Sequence, residues 1–248
     1  MDTNNETPAA RDDFFDSCVD RYRKVIENQE FIKQSSLNSL LNSLLTGDVL
    51  DIGNGGVLDY DPGKSSSFFS LDKSLKMLER ADTVLRGRIT CGDLKDLPIK
   101  CASFDAILCK FLFHHLVTDT LDSTERYQRE CLGQILRALR PDGKLIIVDN
   151  CVPPIIESAQ LLGFSLWQKM FTWLSLPRLR FFSCSQLILL LRSGGFKDFV
   201  IHKIVLKRGW ELVPFILAFP MIKIPAKFYP FEVILIEARR GSGAVAPG

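Results

Sequence analysis

Short apolar runs alternate with helical patterns along the middle of the chain. Residues 49–52, 68–71, 104–109 and 144–149 are four such runs, and each has the length and composition of a buried β-strand. Between the last two, residues 123–139 have the spacing of a helix with one apolar face. Strands that alternate with helices pair in parallel and are covered on both faces. The pattern therefore predicts an α/β fold with a doubly wound sheet.

Shorter signals complete this pattern. Residues 89–90, 199–206 and 231–237 predict three further strands, and residues 74–85 and 183–193 predict two further helices. The prediction is therefore a sheet of seven strands.

The chain before the first strand has a different pattern. Residues 12–45 place apolar side chains near helical spacing, which predicts a helical cap over residues 1–46. The predicted core then occupies residues 47–151.

Two adjacent prolines end the alternation after the core. They open residues 152–182, a segment with few charges that we interpret as an inserted helical lid. Residues 183–240 return to the core pattern, with an apolar insertion at 209–229 that contains several prolines. The small residues of 241–248 predict a flexible tail.

The charge of the chain disfavours a nucleic-acid partner. The 248 residues carry 31 basic and 29 acidic side chains, a net charge of +2, which is too small to hold a polyphosphate. The distribution is uneven, since residues 151–248 contain 12 basic and five acidic side chains.

Cysteine usage and the N-terminal sequence indicate a cytoplasmic protein. The seven cysteines are odd in number and include no C-x-x-C pair, so we expect neither a disulfide framework nor a metal site. Residues 1–13 have none of the basic and apolar regions of a signal peptide. The longest apolar run, residues 212–222, is shorter than the roughly 20 residues that a bilayer requires.

Glycines and carboxylates follow the predicted strands, at the edge where doubly wound sheets bind ligands. Asp51 precedes the run Gly53-Asn54-Gly55-Gly56, whose glycines let a ligand approach the backbone. Asp72 ends the second strand, 21 residues after Asp51, and its carboxylate can accept both hydroxyls of a ribose. With Asp93 after the third strand, these positions predict an adenosine site.

A nicotinamide dehydrogenase is a competing interpretation. It also needs a glycine loop and an acid about 20 residues later. However, the G-x-G-x-x-G pattern fails, because Leu58 stands where the third glycine belongs. The Y-x-x-x-K match from Tyr60 to Lys64 lies in the first loop, where it cannot serve as the catalytic pair of a dehydrogenase.

A set of motifs in fixed order supports a different family. These motifs are VLDIG at 49–53, LDKSLKML at 71–78, GDLKDLP at 92–98, FDAI at 104–107, HHL at 114–116 and LRALRPDGKL at 136–145. Together they resemble the class I S-adenosylmethionine-dependent methyltransferases of the small-molecule type. The resemblance covers 47–151 closely and 183–238 loosely. It implies a Rossmann-like, mostly parallel sheet with an antiparallel last strand, and a cofactor-binding core over residues 47–151.

The resemblance also implies roles for individual residues toward S-adenosylmethionine. Gly53 and Gly55 would pass close to the methionine moiety, and Asp72 would hold the ribose hydroxyls. Asp93 would read the adenine amino group while Leu94 packs on the ring. The expected cofactor-binding residues are Tyr22, Asp51, Gly53, Asn54, Gly55, Asp72, Lys73, Asp93, Leu94 and Lys110.

One departure from the family pattern leaves an alternative open. Val57 takes the place of a third glycine, and Pro62 and Gly63 would break the helix that normally follows the loop. The chain could therefore bind S-adenosylmethionine in the same fold and catalyse a reaction other than methyl transfer, or only bind it.

Three residues near strands four and five are candidates for catalysis. Methyl transfer depends mainly on near-attack geometry and needs a base only when the acceptor loses a proton. His114 and His115 follow strand four and titrate near neutral pH, although adjacent side chains diverge and at most one is expected to reach the acceptor. Asp149 could orient that imidazole, bind an amine or cap the next turn.

Aromatic residues of the lid suggest the nature of the acceptor. Phe164, Trp167 and Phe171 recur at helical spacing, and with Trp210 they are the expected substrate pocket. Such a stripe is also typical of ordinary core. The preferred acceptor is a hydrophobic or aromatic small molecule, and the alternative is a lipid-like acceptor at a membrane surface.

Overall fold

Seven strands form the central sheet of this computed structural model, which describes residues 13–17, 19–20, 35–58, 60–62, 64–85, 87–174, 176–204, 210–212, 223–225 and 231–241. The strands are β1 (Gly47–Ile52), β2 (Ser65–Asp72), β3 (Ile89–Cys91), β4 (Phe104–Lys110), β5 (Leu139–Cys151), β6 (Phe196–Ile204) and β9 (Glu232–Arg240). Two further strands, β7 (Trp210–Leu212) and β8 (Lys223–Pro225), form a separate antiparallel pair.

The order of the strands confirms the doubly wound α/β prediction. Across the sheet it is β3-β2-β1-β4-β5-β9-β6. The first five strands in this order pair in parallel, and β9 is antiparallel to both of its neighbours. The carboxyl ends of β1 to β5 therefore share one edge of the sheet, and the antiparallel last strand lies where the resemblance implied.

Helices flank the sheet and begin or end close to the predicted positions. They are α1 (Asp13–Ser17), α2 (Ser35–Leu44), α3 (Leu75–Glu79), α4 (Leu121–Ala138), α5 (Pro154–Leu162), α6 (Phe164–Trp173) and α7 (Cys184–Ser193). Short 3-10 turns lie at Thr83–Leu85, Leu94–Asp96 and Phe113–His115.

Both faces of the sheet are buried, because alternate residues of each strand enter different clusters. Leu50 and Ile107 pack on the side of α4 and α7. Val49 and Leu108 pack on the opposite side with α2. Burial of this kind stabilises a domain by about 25 cal/mol per Å² of apolar surface, and it explains the nearly continuous apolar sequence of the parallel strands.

The helix predicted over 74–85 is shorter in the structure. It ends at Glu79, and the chain continues to the 3-10 turn at Thr83–Leu85. The cause is the glycine loop, because the N–H of Asp82 donates to the Gly56 carbonyl at 2.9 Å. The backbone N–H of Asp82 thereby holds that loop and does not extend the helix.

Two boundaries around α4 also differ from the prediction for physical reasons. The helix begins at Leu121 and not at residue 123, because the Thr120 hydroxyl accepts the N–H of Ser123 in a capping box. The second is the start of β5 at Leu139, ahead of the strand predicted at 144–149. The pairing of β5 with β4 shifts register between Leu139 and Lys144.

Candidate active site

A cleft opens at the carboxyl edge of β1, β2 and β3, the edge where the sequence places the candidate ligand-binding residues. Seven of the candidate site residues line it, and they are Gly53, Gly55, Asp72, Lys73, Asp93, Leu94 and His115. The rest of the wall is largely apolar and includes Phe15, Met77, Leu112 and Leu116.

The glycine loop forms one end of the cleft. Gly53 and Gly55 have φ values of 78° and 61°, in the left-handed region that favours glycine. A Cβ atom at Gly53 would lie 2.8 Å from the side chain of Leu112. The N–H of Gly55 donates to Asp72 Oδ2 at 2.7 Å, which fixes the loop against the end of β2.

Asp72 is held in the centre of the cleft wall by backbone donors. Its Oδ2 accepts from Gly55, and its Oδ1 accepts the N–H of Ser74 at 2.9 Å. Burial raises the pKa of this carboxyl above its ordinary value, although the backbone N–H groups act in the opposite direction. The backbone N–H of Lys73 is a third donor to this carboxylate, which can accept about four hydrogen bonds in all and so keeps capacity for a hydroxyl donor of a ligand.

Asp93 and Lys73 form an ion pair at the far end. Lys73 Nζ lies 3.1 Å from Asp93 Oδ2, and the N–H of Lys95 donates to Asp93 Oδ1 at 2.9 Å. Partial burial opposes ionisation of Asp93, but these two donors outweigh it and hold its pKa below the usual value. Leu94 is buried beside it, and Tyr127 of α4 also lines the cleft.

Three other predicted residues lie behind the loop, outside the lining of this cleft. Asp51 Oδ2 accepts from Asn54 Nδ2 at 2.9 Å and from the Tyr60 hydroxyl at 2.6 Å. Asn54 Oδ1 in turn accepts the N–H of Gly56. Lys110 Nζ lies 5.5 Å from the centre of the Tyr60 ring. Asp51 and Asn54 therefore support the loop from below, and direct contact of these three residues with a ligand stays a prediction.

The segment after the loop has no helix in its described residues, 57–58, 60–62 and 64. Instead, the N–H of Leu58 donates to Asp82 Oδ2 at 2.8 Å, and the Tyr60 ring packs in the core under the loop. The break that Pro62 and Gly63 predicted is therefore present, and hydrogen bonds to Asp51 and Asp82 hold the segment in place of a helix.

His114 and Asp149 are brought together at the ends of β4 and β5. His114 Nδ1 lies 2.5 Å from Asp149 Oδ1, and the His114 N–H donates to Asp149 Oδ2 at 3.3 Å. Both side chains are buried. The His114 ring also stacks on Phe181, with 6.0 Å between ring centres. This carboxylate thus fixes the orientation of one histidine of the pair.

His115 faces the cleft. Its ring centre lies 4.2 Å from that of His114 and 5.2 Å from that of Phe15. Burial, with a smaller contribution from His114, holds the pKa of His115 well below its ordinary value. Its Nδ1 has no hydrogen-bond partner within the part of the chain that the structure describes. His115 is therefore a neutral imidazole in the cleft wall. Its Nδ1 is itself buried, and a backbone hydrogen bond with Arg178 acts on the pKa of the ring in the opposite direction.

Helix α1 supplies part of the wall that the sequence did not identify. Phe15 packs edge-on against His115, and Asp16 bonds to the hydroxyl of Ser74 beside Asp72. The helical spacing of residues 12–45 predicted the helix but gave no sign of which residues would reach the cleft. Tyr127 was missed because it lies on a helix, away from any strand end. Tyr22, predicted to close over the cofactor, lies outside the described residues.

The predicted substrate-pocket residues do not appear among the described residues that line this cleft. Phe164 is buried, and Phe171 packs in a small cluster with Val152 and Phe181. Trp167 remains 40% exposed. Trp210 belongs to β7, but its side chain lies outside the description. The acceptor pocket stays a prediction, and Phe181 connects its proposed wall to His114.

Two buried thiols near the site are packing residues in this geometry. Burial raises the pKa of both Cys109 and Cys151, with Asp149 adding to the effect, so neither thiol ionises readily. This favours the histidines over cysteine as the reactive groups.

The chain has similar proteins among known sequences. Residues 50–147 match the family described as "Methyltransferase domain". A demethylmenaquinone methyltransferase from Lactobacillus johnsonii is 30% identical over 170 residues, which cover 59% of this chain and 64% of that protein. The match thus spans less than two thirds of that relative.

Solved structures share the fold. The 4+2 cyclase SpnF superposes with a TM-score of 0.61 at 17% identity, over 94% of this chain and 96% of its own. A geranyl diphosphate C-methyltransferase from Streptomyces coelicolor A3(2) superposes with a TM-score of 0.55 at 14% identity, over 88% and 84%. At these identities the likeness concerns the Rossmann-like architecture alone.

Proposed function

We propose that this chain, which carries a class I S-adenosylmethionine-dependent methyltransferase domain, transfers a methyl group from S-adenosylmethionine to a hydrophobic or aromatic small molecule. One observation carries the proposal: the glycine loop, Asp72 and Asp93 line a single cleft together with His115. Backbone, carboxylate and imidazole groups stand there in one ligand-sized space.

The residues present fit this cofactor. Gly53 lines the cleft with its backbone alone, since a Cβ atom there would clash with the side chain of Leu112. The Asp72 carboxylate lies in the cleft wall with acceptor capacity beyond its backbone donors for the ribose hydroxyls, and Leu94 provides an apolar surface for adenine. When bound, the cofactor supplies an electrophilic methyl group on a positively charged sulfur, which suits an acid-rich cleft without a phosphate cradle.

The chain's own residues would contribute position and a proton acceptor. His115 is the proton acceptor in this proposal. Its Nδ1, which is buried and has no hydrogen-bond partner among the described residues, takes the proton that a hydroxyl, amine or thiol acceptor loses as it gains the methyl group, once the bound acceptor reaches that atom. The Asp149 carboxylate holds His114, whose ring lies against that of His115 and limits its movement. Because the pKa of His115 is low, this nitrogen is unprotonated at neutral pH.

The apolar wall supports a hydrophobic acceptor. Phe15, Leu112, Leu116 and Val117 line the cleft together with His115, and the Phe15 ring packs edge-on against it. The names of two similar proteins, a demethylmenaquinone methyltransferase and a geranyl diphosphate C-methyltransferase, agree with acceptors that have apolar portions. The six described cysteines are free thiols, which supports the expected cytoplasmic location.

A second candidate is an S-adenosylmethionine-binding protein that does not transfer methyl groups. The altered segment after the glycine loop favours it, and the name of the cyclase SpnF indicates that a neighbour in this fold has another activity. The two candidates differ in one measurement. The protein is incubated with methyl-labelled S-adenosylmethionine and a metabolite extract, and labelled product is extracted into organic solvent.

Label in the extract, absent from a heat-treated control, is the expected result. Calorimetry with S-adenosylhomocysteine is run beside it. Binding without label transfer would favour the second candidate, and the absence of binding would contradict both.

A further inference from the structure

Helices α5 and α6 turn mostly polar side chains toward the protein and apolar side chains toward the outside, which is the opposite of an ordinary surface helix. Their buried positions are Glu157, Gln160, Phe164, Gln168 and Phe171, so three of the five inward side chains are polar. The outward positions include eight large apolar side chains, Ile155, Ile156, Leu162, Leu166, Trp167, Met170, Trp173 and Leu174. Leu162 is 92% exposed and Trp173 is 82% exposed.

Hydrogen bonds to the following backbone fix this orientation. Glu157 Oε2 accepts the N–H of Ser183 at 3.1 Å, and Gln160 Oε1 accepts the N–H of Phe181 at 3.0 Å. The Nε2 atoms of Gln160 and Gln168 both donate to the Leu179 carbonyl, at 3.2 and 2.9 Å. Rotation of the helices to bury the apolar face would leave these buried polar groups unpaired. The outward apolar face is therefore built into the fold.

The outward face has the chemistry of an interfacial surface. Exposed apolar patches on this scale mark binding sites, and tryptophan is favoured where an apolar medium meets water. Lys169 is the one exposed charged residue among residues 153–174, where the single carboxylate, Glu157, is buried. Residues 151–182 contain three basic side chains, Lys169, Arg178 and Arg180, and one acidic side chain. Arg178 is paired with Asp119 and the buried Arg180 with Glu125, so Lys169 carries the positive charge of this face.

We propose that the outward face of α5 and α6 docks on an anionic phospholipid surface. Helices with a broad apolar face and cationic charge lie in the plane of such a surface. No helix in the described residues is long and apolar enough to cross a bilayer, so the helices would lie on it. The eight apolar side chains would enter the boundary between headgroups and acyl chains, and Lys169 would face the phosphates.

The docking face is connected to the candidate active site. Phe171 points inward from α6 and packs with Phe181, whose ring stacks on His114. The N–H of Arg180 donates to the His114 carbonyl at 2.9 Å. Resting on the proposed methyl transfer at this cleft, the docking face assigns an acceptor that dissolves in the bilayer, because such a molecule would leave the lipid beside the histidines.

The test is flotation of the full chain with lipid vesicles. Vesicles of phosphatidylcholine alone are compared with vesicles that also contain phosphatidylglycerol. We expect binding to the anionic vesicles, and a loss of at least about tenfold in Leu166→Gln/Trp173→Gln, since two large apolar side chains that would be buried in the lipid are removed. Lys169→Glu should weaken binding to the anionic vesicles alone.

A matched variant controls for loss of surface apolarity in general. Val84→Gln/Leu189→Gln removes two side chains that are 63% and 52% exposed but lie outside this face. It should float like the unchanged protein. Equal loss in both double variants would overturn the proposal, as would the absence of flotation.

Two other occupants of the face give different results. If a second copy covers it, light scattering would show a dimer that Leu166→Gln/Trp173→Gln converts to a monomer. If the apolar residues 213–222 of this chain cover it, that variant would lower the unfolding temperature without any flotation to lose. Either outcome overturns lipid docking. Failure of the proposed function is separate, because it appears as absent label transfer, with or without S-adenosylhomocysteine binding, while flotation persists.

Discussion

His114 and Asp149 share a buried contact of 2.5 Å between Nδ1 and Oδ1, at the adjacent ends of β4 and β5. Asp149 also accepts the backbone N–H groups of His114 and Asn150. The carboxylate thus holds a backbone turn and an imidazole together. Since the His114 ring touches His115 at the cleft, the pair sets the position of the histidine that faces the acceptor.

Asp149→Asn should lower kcat for methyl transfer by about 10- to 100-fold, which is the range expected when a reacting group is misplaced. The dissociation constant for S-adenosylhomocysteine should stay the same, because Asp149 lies outside the lining of the cofactor cleft. Steady-state kinetics and calorimetry give the two values. An equal loss in both would show that Asp149 supports the fold and has no separate positioning role.

Asp72→Ala should weaken cofactor binding by about 1.5–3 kcal/mol, the value for hydrogen bonds to a charged group. The carboxylate lines the cleft and also holds Gly55, so its removal frees the loop. Asp96→Ala is the matched control, because Asp96 is an exposed carboxylate in the turn that follows Asp93. Calorimetry of both variants tests this, and unchanged affinity in Asp72→Ala would contradict the ribose assignment.

Gly53→Ala and Gly87→Ala separate two costs of adding a methyl group. Both glycines have a φ near 77°, but only at Gly53 does the new Cβ meet a side chain, that of Leu112. Gly87→Ala should lower the free energy of unfolding by about 1–2 kcal/mol, the cost of left-handed backbone. Gly53→Ala should lower it further and also weaken cofactor binding. Urea unfolding and calorimetry measure the two effects. Equal unfolding free energies for Gly53→Ala and Gly87→Ala would show that Leu112 moves aside without cost.

His115→Gln should change how stability depends on pH. The pKa of His115 is lower in the folded state than the ordinary value of 6.5, so the unfolded state binds more protons between these two values. The contribution of His115 to the free energy of unfolding is fully present above pH 6.5. It is lost as the pH falls toward the pKa of the folded state, by up to about 1.4 kcal/mol per pH unit. The variant should lose this slope.

The measurement is urea unfolding at several pH values below and above 6.5. His202→Gln provides the comparison, since it removes one histidine from β6 without touching the cleft. An unchanged slope in His115→Gln would show that another group causes the acid sensitivity.

The sequence predicted the sheet well because a strand that is buried on both faces is apolar at nearly every position. Residues 49–52 and 104–109 are apolar at nearly every position, and both are strands of the parallel sheet. The strand ends were equally readable, since Gly53, Asp72 and Asp93 follow strands whose order fixes a common edge.

The orientation of the lid helices was not readable in the same way. Helical spacing predicted α5 and α6, and it suggested that Trp167 faces inward with Phe164 and Phe171. The structure turns Trp167 outward, because Gln160 and Gln168 occupy the inward stripe and bond to the Leu179 carbonyl. The hydrogen-bond partner, the Leu179 carbonyl, lies 19 residues from Gln160 and 11 residues from Gln168, and it decides which face is buried. The periodicity within a helix cannot predict such a distant contact.

The position of β9 has a consequence for synthesis of the protein on the ribosome. Among the described strands, β6 joins the sheet only through β9. On its other side, β9 pairs with residues 144–151 of β5. Until residues 232–240 emerge, a nascent chain therefore presents the unpaired edge of β5 and a detached β6. Unpaired strand edges favour association with other chains. Translation that stalls before this strand would leave an aggregation-prone intermediate, even though every residue of the cofactor cleft has already been made.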